Sequence, residues 1–100
     1  MPKLLIFIFR RSLEETVAHL LHDLNVHNYT LIHSGVVGRG TSGIVEGTFE
    51  KPGENAVLLL ELPDKDVPMV VEKFKEFHEI HEAKYHVPLR LFVLPCERII

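Results

Sequence analysis

HSGVVGRGTSGIVEGTFEKPG, residues 33–53, contains all six glycines of the 100-residue chain. Within it, Gly38-Arg39-Gly40-Thr41-Ser42-Gly43 has the literal form G-x-G-x-x-G and follows a run of β-formers. In a parallel α/β fold that pattern opens a helix over a pyrophosphate. No helix can follow here: Ile44, Val45, Thr48 and Phe49 are β-branched or aromatic, Gly47 interrupts them, and Lys51-Pro52-Gly53 is a turn signal. The segment therefore joins two strands directly, and the flanking chain is a scaffold for it.

Immediately outside it lie those two strands. Tyr29–Val37 (YTLIHSGVV) leads in, after Asn25 and Asn28 break a helical period. Ala56–Leu62 (AVLLLEL) leads out; it is the most hydrophobic run in the chain and is expected at the centre of a sheet. One step further out, Leu13, Val17, Leu20, Leu21 and Leu24 recur at helical spacing and predict an amphipathic helix over 13–24. Ser12 and Glu15 form the S-x-x-E signature, which assigns Ser12 as the N-cap. On the other side, Asp64 and Asp66 precede Pro68, placing acidic groups at the positive end of a helix dipole with proline in the first turn. That second helix is expected to reach 82–85, with Val67, Val70, Val71, Phe74, Phe77, His78 and His81 on one face. Outermost, KLLIFIF (3–9) and LRLFVL (89–94) read as strands, the first apolar enough to be buried on both faces.

The order is βαββαβ, an α+β, ferredoxin-like plan: a four-stranded antiparallel sheet with two helices on one face, in a single domain over residues 1–100. Two helices cover one face only, yet three of the strands are apolar at nearly every position. Each large side chain left wet forgoes about 1.5–3 kcal/mol, so the open face is expected to pack on another copy of the chain. The alternative is a second face lightly covered by the long loop.

A net charge of −3 gives no general attraction to nucleic acid or to an anionic membrane. No apolar run approaches the roughly 20 residues needed to span a bilayer, and no signal-peptide pattern is present, so a cytoplasmic protein without membrane insertion is expected. The single cysteine, Cys96, excludes an internal disulfide and a multi-cysteine zinc site. Glu14 and Glu15 point about 100 degrees apart on a helix and cannot form a carboxylate pair, and Cys96 has no forced histidine partner. No catalytic constellation emerges, and the chain is not expected to be an enzyme.

Two readings of the loop stand side by side. Successive glycines can expose backbone N–H groups in a concave nest, with Arg39 as a cationic fork and Thr41 and Ser42 as hydroxyl donors, a set suited to phosphate or carboxylate. Equally, it can be a plain connection in which glycine is tolerated because nothing packs there. Arg10 and Arg11, at the end of the first strand, either join an anion site or form a solvated turn.

The plan as a whole, with YTLIHSGVVGRGTSG, LPDKDVPMVVEKF and LRLFVLPCERII, resembles the nitrogen-regulatory PII signalling proteins and their PII-like relatives. The most specific element is Gly38-Arg39, similar to the step at the base of the family's T-loop; next is V-x-P-x-E at Val93, Pro95 and Glu97. The resemblance implies a homotrimer with inward-facing sheets and adenine nucleotide (ATP, ADP or AMP) bound between subunits as an effector, with no cofactor required. It also implies that loop 38–55 engages a partner protein. Gly38, Arg39, Gly40 and Thr41 are the implied anion contacts. The segment before the last strand, HEAKYHVP (81–88), lacks the family's glycines, so Lys84 and Arg90 are the replacement charges and Arg98 stands in for the family's C-terminal basic residues.

The rival reading comes from the seven histidines. His78, His81 and Glu82 lie at i, i+3 and i+4 on one helix face, and His86 can fold back beyond the helix end, a set suited to zinc or a similar cation. The trimeric divalent-cation-tolerance CutA proteins share the plan. Against it, histidines at a helix C-terminus are favoured by the dipole alone.

Overall fold

The first apolar run forms β1 (Lys3–Arg10), whose side chains alternate strictly between buried and half-buried. The computed structural model describes residues 1–37, 39–40, 43–44, 54–85 and 89–100, with side chains except at 37, 39–40, 43–44 and 82–85. After β1 a 3-10 turn (Arg11–Leu13) leads into α1 (Glu14–Asp23). Then come β2 (Thr30–Val37), the two-residue strands β3 (Arg39–Gly40) and β4 (Gly43–Ile44), and β5 (Glu54–Leu62). A 3-10 turn (Asp64–Asp66), α2 (Val67–Tyr85) and β6 (Arg90–Pro95) complete the order. The main sheet has four strands in the order β2-β5-β1-β6, every pair antiparallel. This is the ferredoxin-like plan, with β5 and β1 at its centre.

The register assigns the faces. Leu5, Phe7 and Phe9 of β1 stand opposite Leu60, Leu58 and Ala56 of β5, all buried, beneath Leu13, Val17 and Leu21 from the first helical segment and Val70, Phe74 and Phe77 from α2. Phe7 is the hub: its ring meets Phe9 at 5.3 Å, Phe74 at 4.7 Å and Phe77 at 6.1 Å. The other face carries Leu4, Ile6 and Ile8, with Leu59 and Val57 of β5, Ile32 of β2, and Phe92 and Leu94 of β6 in register beside them. Within one chain these are only partly covered; Ile32, Phe92 and Leu94 are 44%, 48% and 44% exposed. β1 is thus fully buried on one face and half-buried on the other.

The helix starts differ from the S-x-x-E expectation. Leu13 occupies the cap position of α1 and no side chain caps it. Ser12 lies inside the 3-10 turn, so the chain tightens into the helix through that turn, with the N–H of Glu14 bonded to the Arg11 carbonyl, instead of entering through a serine cap. The C-terminus of α1 closes by a Schellman motif: Asn25, at φ 59°, donates to His22 O and Val26 donates to Leu21 O, both at 2.9 Å. Val26 packs against the core there. Pro68 falls in the first turn of α2, as expected.

Candidate functional site

One end of the sheet gathers the segments that the anion reading needs. β1 leaves at Arg10, opposite Asn55; Asn55 is in turn opposite Val36, and Val37 is opposite Glu54. β6 begins at the same end, with Arg90 opposite Ile8. Because α1 starts and α2 finishes there, the two legs of the glycine-rich loop, the end of α2 and the start of β6 all converge. Beyond the sheet, β3 and β4 form a short ribbon through Arg39 with Ile44 and Gly40 with Gly43.

The loop base is irregular in a defined way. The β2·β5 register shifts between Ile32 and Val36, so His33, Ser34 and Gly35 form a bulge against β5. Gly35 adopts φ 78°, a left-handed conformation that side chains disfavour. Its N–H donates to Glu54 Oε1 at 2.8 Å, while Arg11 Nη1 donates to Glu54 Oε2 at 3.0 Å. The Glu54 side chain is only 11% exposed. One carboxylate therefore ties the incoming leg of the loop, the outgoing leg and the turn before α1. A second contact spans the same gap: His33 Nδ1 stands 3.7 Å from Glu14 Oε1 in the first turn of α1.

Of the anion candidates, Arg39 and Gly40 have their backbone in β3, Lys84 lies in the last turn of α2, and Arg90 is exposed on the open face of the sheet. Gly38 and Thr41, and the side chains of Arg39 and Lys84, lie outside the described residues. Arg10 is diagonal to Arg90 on the same face, a spacing of roughly 7–8 Å between backbones in an antiparallel pair. Arg98 is placed elsewhere: it pairs with Glu61 at 3.3 Å, and Glu61 is opposite Leu4 at the far end of the sheet. Within this chain Arg98 cannot reach the loop base.

The two α2 histidines whose side chains are described differ in their surroundings. His81 stacks on Phe77 at 4.0 Å and donates its Nδ1–H to the Phe77 carbonyl at 2.9 Å. His78 borders an apolar hollow of about 260 Å³ formed by Phe7, Val71, Phe74, Leu89 and Leu91. The Glu82 side chain and His86 lie outside the described residues. Among the described residues no three His, Cys, Asp or Glu side chains gather as a metal site.

Glu54 and its donors were not legible as a unit. Glu54 is a lone acid after a turn, and its partner Arg11 is 43 residues away in sequence. The available signal was a charged residue heading the most apolar strand, which normally reads as a solvated strand end.

Known proteins share the fold. The family model described as "Nitrogen regulatory protein P-II" matches residues 2–100. The chain is similar to CPII, a nitrogen regulatory PII-like protein from Thiomonas intermedia K12 solved bound to ADP, AMP and bicarbonate: TM-score 0.69 and 24% identity over 98% of this chain and 91% of that one. A putative PII-like signalling protein from Thermus thermophilus gives TM-score 0.60 and 18% identity over 93% and 85% of the two chains. A DUF3240 family protein from Shewanella baltica gives 0.69 and 13% over 98% and 92%. A search of curated proteins finds no match. With the β-bulged strand running into Gly38-Arg39, the βαββαβ order and a family match spanning nearly every residue, the chain belongs to the nitrogen regulatory protein P-II family.

Proposed function

We propose that this chain is a PII-like regulatory protein that binds an anionic metabolite, an adenine nucleotide, at the loop-bearing end of its sheet and signals through residues 38–55. The observation that carries the reading is the convergence of the two legs of the loop at Val37 and Glu54, the end of α2 and the Arg90 start of β6 at one end of the fold. Arg39, the backbone amides of Gly38, Gly40 and Thr41, and the side chains of Lys84 and Arg90 are the contacts we assign. Support comes from the family match and from CPII, which was solved with ADP, AMP and bicarbonate. Three copies meeting through their open faces would bury Ile6, Ile32, Phe92 and Leu94 and form the clefts beside Arg90. Ligand acts by selecting among loop conformations that glycine leaves close in energy, and a partner protein reads the result. This role needs no catalytic step and no resident cofactor, and it fits a protein acting in the cytoplasm; no described helix is long and apolar enough to cross a membrane.

Calorimetric titration with ADP, ATP and AMP tests it. Saturable heat is expected for at least one of them, and Arg39→Ala is expected to weaken it by roughly ten- to a hundredfold, the worth of a hydrogen bond to a charged group. Undiminished binding in Arg39→Ala would remove Arg39 from the site, and silence toward all three nucleotides would remove the nucleotide reading. A tight zinc response with nucleotide silence would instead favour His78, His81, Glu82 and His86 as ligands.

A further inference from the structure

The proposed ligand contacts leave Glu54 without a part, yet among the described residues it is the acid at this end of the fold that accepts from two separate segments. It heads β5, is nearly buried, and accepts hydrogen bonds from Gly35 N–H at 2.8 Å and Arg11 Nη1 at 3.0 Å. It shares its face of β5 with the buried Ala56, Leu58 and Leu60, so it stands on the helix side of the sheet, whereas Arg90, opposite Ile8, stands on the open side. Glu54 therefore does not compete with an anion for the open-face arginine. What it does hold is the bulge at residues 33–35, where the β2·β5 register shifts before pairing resumes at Val36 and Val37, two residues short of Arg39.

We infer that Glu54 is a positioning residue for the anion site, a latch that fixes the incoming leg of the loop through the Gly35 amide and is itself aimed by Arg11. The inference rests on the functional reading above and deepens it. With the latch closed, the bulge sets one register for Val36 and Val37 on β5, and so one direction for the chain leading on to Arg39. With it open, the Gly35 amide turns to water and the leg samples several, only a fraction of which present Arg39 and the neighbouring amides to a ligand. Apparent affinity falls by that fraction. Linkage runs both ways: a ligand that prefers the latched state must protect the Gly35 amide by the same factor by which the latch favours the ligand. The contact between His33 and Glu14 backs the same bulge from α1.

The experiment combines amide exchange at Gly35, read by NMR, with ADP titration, on the full chain and on Glu54→Ala, Glu54→Gln and Arg11→Ala. Glu54→Gln keeps an acceptor for Gly35 and loses the charge that Arg11 meets, so its Gly35 amide is expected to stay protected while its ADP affinity falls only a few-fold. Arg11→Ala should match it. Glu54→Ala is expected to expose the Gly35 amide and weaken ADP on the order of tenfold, with exchange in β1 and β5 unchanged. Equal Gly35 protection in wild type and Glu54→Ala overturns the latch. An exposed Gly35 amide with unchanged ADP affinity overturns its positioning role. Absence of any nucleotide heat from the wild type overturns the functional reading instead, and the ligand-free Gly35 amide then still decides whether the latch exists. Should Glu54→Ala fail to fold, linkage in the wild type takes its place: saturating ADP that leaves Gly35 exchange unchanged overturns the latch, and ADP affinity unchanged in both Glu54→Gln and Arg11→Ala overturns the positioning role.

Discussion

Gly35 sits at φ 78° with nothing within 4 Å of where a Cβ would stand. A substitution there therefore meets a backbone cost and no collision. Gly35→Ala is expected to destabilise the fold by about 1–2 kcal/mol, the left-handed penalty, while Gly35→Asn, which tolerates that region, should lose less; urea midpoints read both. Asn25 shows the same geometry already filled by asparagine, at φ 59° closing α1. In the sequence Asn25 reads as a break in the helical period, whereas Gly35 reads as part of an unbroken strand over Tyr29–Val37. The bulge at Gly35 was hidden because the Asn25 N–H is received locally, by the His22 carbonyl, while the Gly35 N–H is received by a carboxylate far along the chain. The Glu54 carboxylate is such a receiver, 19 residues from the glycine it holds.

Among the elements, hydrophobic period was sufficient for existence and order. AVLLLEL and KLLIFIF are the central pair, and the helical spacing of Leu13, Val17 and Leu21 put all three in the core. Local chemistry misled at one helix start. Ser12 has the right letter and spacing for a cap, but the 3-10 turn Arg11–Leu13 moves the cap position to Leu13. Ser12→Ala is accordingly expected to change stability by less than about 0.5 kcal/mol, against about 1 kcal/mol for loss of a working cap. A thermal melt of the variant separates the two values. The ribbon of β3 and β4 was likewise beyond reach of periodicity, since two-residue strands carry no alternation to detect.

Across the molecule, the sheet has one finished face and one unfinished. Leu4, Ile6, Ile8, Val57, Leu59, Ile32, Phe92 and Leu94 share the side away from the helices. Placing a charge in the middle of that side should oppose assembly without disturbing the core beneath Phe7. If three copies meet there as proposed, Ile6→Glu is expected to sediment as a single folded subunit and the wild type as a trimer; a monomeric wild type would remove the clefts that the nucleotide reading needs. The open face was legible in the sequence only as surplus hydrophobicity, because alternation says that a face is apolar but not what lies upon it.

The same sheet order has a consequence for how the chain is made. β1 is synthesised before both of its partners, since its neighbours are residues 55–62 on one side and 90–95 on the other. Its pairing edges must wait, one until the middle of the chain has emerged from the ribosome and the other until the final strand has. Such distant closures are slow, so this apolar strand keeps both edges open for longer than any segment that closes on its neighbours in sequence.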